Sequence, residues 1–331
     1  MSGLCALRGV VLIAALLCAA PLGAGAQPAA KAPRIGVLEL TNESANAEYF
    51  GAFRQALREL GRVDGQNIEI DYRSADGHAD RFGELAAELV RRKVDVIVTR
   101  GSQAALAARA ATSTIPIVMA TSGDPAAEGI VRNLARPGGN ITGFHILAPP
   151  AVAARRLQLL KEMVPALAHV SVLWTVPDIN PVLLMRETEK TARAMGVRFS
   201  SVELQRPEDL ERAFESIMLA QADALVAVED YLTLADRTRI VEFVAMSRLP
   251  VIYGLREFAE AGGLMAYGAD RRDLYRRCAG YVDRILNSAK PGELPIEPPS
   301  RFELVINVKT ARVLGLTVPP SLLQRADHVI E

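Results

Sequence analysis

Arg34-Ile-Gly-Val-Leu-Glu-Leu40 is followed by Phe50, Phe53, Leu57 and Leu60, and these two patterns together decide the fold class. The first is a short apolar run with the length and branching of a buried strand. The second places its apolar residues three, four and three positions apart, which lines one face of a helix. The pair then repeats. Residues 68–72 read as a second strand, and Phe82, Leu85, Ala86, Leu89 and Val90 share a helical stripe. Further strands are predicted at 94–99, 117–120 and 141–145. Short strands alternating with helices of this length give right-handed βαβ units and a parallel sheet.

A second series begins after Asn140 to Pro150, where Ala148-Pro-Pro150 supplies turn formers. Strands are predicted at 170–174, 198–202, 224–228, 250–253 and 264–267, with helices at 181–195, 208–220, 235–247 and 271–287. Lys290-Pro-Gly-Glu-Leu-Pro295 and Glu297-Pro-Pro299 form a second Pro-rich connection. Such stretches suit crossings between domains. The expectation is an α/β protein of two doubly wound parallel-sheet lobes joined by a hinge. Open sheets of this kind take ligands beyond the carboxyl ends of their strands.

Arg8, an apolar run over 10–20 and the small residues Ala24-Gly-Ala26 form a secretory signal pattern. The run is shorter than the roughly 20 residues that span a bilayer. Removal of residues 1–26 and a periplasmic location follow. A lipid anchor would use Cys18, but Leu17 before it is bulkier than such sites accept. Cys5 and Cys18 leave with the signal, so Cys278 remains alone. It shares a stripe with Leu274, Tyr281, Val282 and Ile285, which makes it a buried thiol rather than a nucleophile.

The 331 residues carry 38 basic and 38 acidic side chains, so no net field draws the chain to nucleic acid or acidic membranes. Half the residues are hydrophobic, ample for two cores. No dinucleotide fingerprint, Walker loop, nucleophile elbow or paired-histidine zinc motif occurs. His78, His145, His169 and His328 are scattered and join no cysteine cluster, so no metal or other cofactor is expected. These features favour a binder over an enzyme.

Arg136-Pro-Gly-Gly-Asn-Ile-Thr-Gly143 resembles a segment of a bacterial ABC transporter substrate-binding family that includes the tryptophan/tyrosine-type receptors. Gly61-Arg-Val-Asp-Gly-Gln-Asn67, Thr114-Ile-Pro-Ile-Val118, Gly123-Asp-Pro125 and Arg256-Glu-Phe-Ala-Glu-Ala-Gly-Gly-Leu264 match in order. So do Phe302-Glu-Leu-Val-Ile-Asn307, Lys309-Thr-Ala311, Leu314-Gly-Leu316 and Ala326-Asp-His-Val-Ile330. The resemblance spans the mature chain. It implies a type I periplasmic-binding fold with three connections between lobes. Lobe one would be 33–144 plus 271–287, and lobe two 145–270 plus 302–331. It implies a monomeric receptor that passes a small molecule to ABC permease subunits. The implied ligand is an amino acid or similar zwitterion, aromatic or branched apolar. Thr175-Val-Pro-Asp-Ile-Asn-Pro181 departs from the family's polar, Asn-rich turn and weakens the case for a fully polar ligand.

Candidate contacts are the residues just after each strand. Lobe one offers Asn42, Glu43 and Ser44, then Gly101 and Ser102, then Thr121, Ser122 and Asp124. Ser102 and Ser122 could present hydroxyls beside helix-start amides to a carboxylate. Equally, Ser102 and Asp124 could be helix caps, with Pro125 at the first helical position. Lobe two offers Trp174, Thr175 and Asn180, then Glu229, Asp230 and Tyr231, then Tyr253 and Arg256. Glu229 or Asp230 could meet an ammonium group, or cap the next helix. Trp174 and Tyr253 could cover an apolar ligand group, although Trp174 also fits a core. Asn180 precedes Pro181 as a cap would, and Arg256 could hold a carboxylate or pair with Glu257 or Glu260. Gly139, Gly143, Gly262 and Gly263 stand near the expected crossings. A second reading keeps the fold and makes the chain a sensor subunit for a membrane kinase or chemoreceptor; a third is a secreted hydrolase using Glu229, Asp230 or Asp124.

Overall fold

Strand β1 (Arg34–Glu39) is buried on both faces, with Ile35 and Val37 pointing to one side and Leu38 to the other. That double burial needs helices above and below, and the sequence supplies them. The computed structural model describes residues 32–176, 179–229, 233–234 and 236–331. The expected export segment 1–26 lies outside the described residues.

Helix α1 (Ala47–Glu59) lays Phe50, Phe53 and Leu57 on one face of the first sheet, and α2 (Phe82–Arg91) lays Phe82, Leu85 and Leu89 on the other. Around β1 stand β2 (Glu69–Ser74), β3 (Val96–Arg100), β4 (Ile117–Thr121), β5 (Ile141–Phe144) and the two-residue β11 (Ile296–Glu297). Their order is β11-β5-β4-β3-β1-β2, and every pairing is parallel. Gly143 adopts φ of 130°, and a Cβ there would sit 2.2 Å from the Met119 carbonyl oxygen. Only glycine fits so close to β4.

The second sheet repeats the plan. It contains β6 (His169–Thr175), β7 (Arg198–Leu204), β8 (Ala224–Ala227), β9 (Val251–Tyr253), β10 (Met265–Ala269), β12 (Phe302–Asn307) and β13 (His328–Ile330). The order is β13-β12-β10-β9-β8-β6-β7, and only β12 runs antiparallel to its neighbour β10. Both sheets therefore contain the 2-1-3-4-5 order of doubly wound folds, turning direction between β1 and β3 and again between β6 and β8. Helix α4 (Pro150–Met163) and α5 (Ile179–Ala194) cover one face, while α6 (Leu210–Ala220) and α7 (Arg237–Ser247) cover the other.

The chain passes between sheets three times. It leaves the first after Phe144, returns after Ala269 through α9 (Arg271–Leu286), and leaves again after Glu297. Asp270 caps α9 by accepting a hydrogen bond from the Asp273 amide at 3.1 Å. Helix α9 packs along α1 with Leu274, Tyr275, Cys278 and Val282 buried in the first sheet's core. Cys278 is buried there as expected, and burial pushes its thiol up. The crossings brace one another: the His145 amide donates to the Glu297 carbonyl at 3.1 Å, and the Asp270 amide donates to the Arg301 carbonyl at 3.0 Å.

Candidate ligand site

The switch point of the first sheet ends in two charged residues, Glu39 on β1 and Arg100 on β3. Glu39 is almost wholly buried. Its Oε1 accepts hydrogen bonds from Asn46 Nδ2 at 2.9 Å and Tyr275 Oη at 2.5 Å. Its Oε2 has no hydrogen-bond partner and lies 3.9 Å from Arg100 Nη1. Burial pushes the Glu39 carboxyl above its ordinary range, against the pull of Arg100, Tyr275, Asn46 and Arg271. Asn46 precedes α1 but does not cap it; its side chain instead joins Glu39 to Arg100, whose Nη1 donates to Asn46 Oδ1 at 3.3 Å.

Lobe two reaches this cluster through α8 (Arg256–Glu260). Glu257 Oε1 accepts from Tyr49 Oη at 3.1 Å and from Arg271 Nη1 at 2.5 Å, with Arg100 Nη2 at 3.9 Å. Burial raises the Glu257 carboxyl, but Arg271, its own backbone amide, Arg100 and Tyr49 outweigh it and hold the group below its ordinary range. Burial also opposes the charge on Arg100, yet Tyr275, Glu39, Glu257 and Tyr49 keep its guanidinium firmly protonated. Glu257 Oε2, Arg271 Nε and Thr99 Oγ1 are buried without hydrogen-bond partners. Two acids and two bases thus meet where the lobes face each other.

The residues just after the first-lobe strands divide into structural and open groups. Asn42 Oδ1 accepts from Ser44 Oγ at 2.7 Å and the Ala45 amide at 2.9 Å, a self-contained turn. Glu43 pairs with Arg54 at 2.7 Å. Gly101 leads into α3 (Ser102–Ala111), whose start no side chain caps. Ser102 is therefore not the cap; its Oγ accepts from the Gly123 amide at 2.9 Å and keeps its own proton to donate. Thr121 is buried at the end of β4, and its carbonyl receives the Gly101 amide at 2.9 Å. Ser122 Oγ donates to the Phe144 carbonyl at 3.0 Å, which secures the first crossing. Asp124 Oδ1 accepts from the Ala126 and Ala127 amides at 3.0 and 2.9 Å, the capping role.

Lobe two corrects several expectations. Glu229 is not open to an ammonium group, because Arg156 from α4 grips it with both terminal nitrogens, at 2.5 and 2.6 Å. Arg156 Nε donates to the Tyr267 carbonyl at 2.7 Å, and the side chain is 1% exposed. Gly254 makes room: a Cβ there would fall 1.9 Å from Glu229 Oε2. Tyr253 is fully buried and stacks on Phe258 at 4.7 Å, so it belongs to the core rather than to the crevice. Trp174 is likewise packed in the core, with Nε1 donating to Ser201 Oγ at 2.7 Å. Arg256 is committed to Glu260 at 2.8 Å, Glu48 at 3.1 Å and Glu303 at 3.2 Å. Thr175 is buried at the switch point with Oγ1 unpartnered. Asp230, Tyr231 and the side chain of Asn180 lie outside the described residues.

Sequence reasoning missed Glu39, Arg100, Arg156 and Glu257. Two of them carried a signal: Glu39 interrupts an apolar strand, and Arg156 stands on the apolar stripe of Val152, Leu160 and Met163. A charge in such a place calls for a buried partner.

Two doubly wound lobes and three crossings define a two-lobed α/β protein of the type I periplasmic-binding fold. The chain belongs to the family described as ABC transporter substrate binding protein, which matches over residues 34–330. It is similar to an ABC domain in complex with L-Trp from Streptococcus pneumonia, at 26% identity and a TM-score of 0.76, covering 90% of this chain and 99% of that one. A ligand-free, open substrate binding protein with adhesive properties from Clostridium difficile shares the fold at 23% identity and a TM-score of 0.72, over 90% of this chain and 99% of that one. A tyrosine-binding protein from Clostridioides difficile is 23% identical over 286 residues, covering 86% of this chain and 82% of the relative.

Proposed function

We propose that this chain is the exported receptor of an ABC importer, holding an amino acid with an aromatic or branched apolar side chain between its lobes and passing it to membrane permease subunits. The observation that carries the reading is the meeting of donors and acceptors at the first lobe's switch point. The uncapped start of α3, with Ser102 and the nearby Arg100, suits a carboxylate. Glu257, held ionised and with Oε2 unpartnered, suits an ammonium group. A zwitterion needs both. The L-Trp bound by the similar Streptococcus protein and the tyrosine named for the Clostridioides relative supply the aromatic class.

Export rests on the Arg8, apolar and Ala24-Gly-Ala26 pattern. The transport role is tested by deleting the gene and following uptake of the amino acid that the purified protein binds. Loss of uptake, restored by the intact gene, is the expected result. Unchanged uptake with an altered transcriptional or motile response would favour a sensor subunit.

A further inference from the structure

Helices α6 and α7 lie side by side on the outer face of the second sheet and enclose a groove of about 690 Å³. Phe214 and Phe243 stack across it with ring centroids 3.9 Å apart. Above this floor the walls are unusually bare: Leu219 is 85% exposed, Met246 79% and Met218 52%. A cluster of large apolar side chains left in water marks an interaction surface. The rim is acidic. Arg239 already serves Glu211 at 2.9 Å and Asp236 at 3.0 Å, while Glu215 and Glu242 have no ion-pair partner among the described residues.

We propose that this groove docks an amphipathic, basic helix of a partner protein, with an apolar side chain between Met218, Leu219 and Met246 and lysines or arginines against Glu215 and Glu242. The charge pattern selects that occupant. A second copy of this chain would bring its own Glu215 and Glu242 and only an Arg239 shared between two acids. An anionic lipid surface would meet the same repulsion. The direction of the helices separates the groove from the ligand. In a parallel sheet the helix runs back from the strand's carboxyl end, so the last turns of α6 and α7 point away from the crevice. Docking here is independent of ligand occupancy.

The test uses two labelled synthetic helices of about 18 residues with the same leucine stripe, one carrying lysine and the other glutamate on its polar face. Fluorescence anisotropy is read against the full protein, with light scattering and flotation on phosphatidylglycerol vesicles alongside. The lysine helix is expected to bind, about tenfold more weakly to Leu219→Lys or to the Glu215→Lys/Glu242→Lys pair, and equally with and without excess L-tryptophan. Both sites are exposed, so the variants fold. Equal binding of the two helices, no binding, or binding insensitive to these substitutions would overturn the proposal. So would a dimer or vesicle association that Leu219→Lys abolishes.

Discussion

Tyr49 on α1 donates its hydroxyl to Glu257 on α8 at 3.1 Å, and this bond ties one lobe to the other. The Tyr49 ring also stacks on Tyr275, 5.8 Å between centroids, so phenylalanine can keep the packing and lose only the bond. Tyr49→Phe should lower unfolding free energy by about 1.5–3 kcal/mol in urea titration, as expected for a hydrogen bond to a charged group. A loss near zero would mean that the lobes do not bear on each other through this pair.

Arg156 and Glu229 form the buried ion pair at the floor of lobe two, with side chains 1% and 9% exposed. Removing one partner strands the other, so Arg156→Met should cost about 3–5 kcal/mol. Arg156→Met combined with Glu229→Leu should recover much of that loss. A double variant as unstable as the sum of the singles would argue against direct pairing.

Gly268 and Gly280 give opposite expectations. A Cβ on Gly268 would lie 1.7 Å from the Gly254 carbonyl oxygen, while one on Gly280, within α9, meets nothing within 4 Å. Gly268→Ala should destabilise by roughly 3 kcal/mol or more, because backbone must move. Gly280→Ala should stabilise by about 0.5–1 kcal/mol through helix propensity. Thermal unfolding of the two variants checks both signs.

Glu303 opens a pH window. Burial pushes its carboxyl up to about 7, with Asp270 and Glu48 adding to the rise and Arg256 and Arg272 opposing it. The unfolded carboxyl titrates near about 4.3, so the folded state holds this proton more tightly. The stabilising contribution is full below that lower value and is lost as pH rises through about 7. Glu39, also raised by burial, adds a slope of the same sign. Glu303→Gln should therefore flatten part of the fall in melting temperature between about pH 4.5 and 7.5. An unchanged slope in calorimetry would remove Glu303 from the account.

The alternation of strands and helices was legible because each element carries its own period: β1 ends at Glu39 against an expected Leu40, and β8 ends at Ala227 against Val228. The two-residue β11 is too short to carry such a mark, and in the helix holding Arg156 the stripe of Val152, Leu160 and Met163 is interrupted by the charges of Arg155 and Arg156. Side-chain partners were harder still. Arg156 and Glu229 stand 73 residues apart, so nothing local told that the glutamate was already paired. Tyr253 looked like a crevice aromatic at a strand end, but β9 lies between β8 and β10 and its ring turns into the core. Sequence alone points to the residues after the strands; the charges stand one step earlier, on the last residues of the strands, Glu39 and Arg100.

On the proposed function, a free amino acid held between the lobes stabilises the folded chain. The most direct test is a thermal-shift screen of ligand-stripped protein against the L-amino acids and small organic acids, with each compound assayed afterwards for consumption. An aromatic or branched apolar amino acid should raise stability by about 2.7 kcal/mol at a hundredfold excess over its dissociation constant, unconsumed, and Ser102→Ala or Glu257→Gln should weaken it. No shift with any amino acid, or a shift that neither substitution changes, would mean that Ser102 and Glu257 hold no free amino acid.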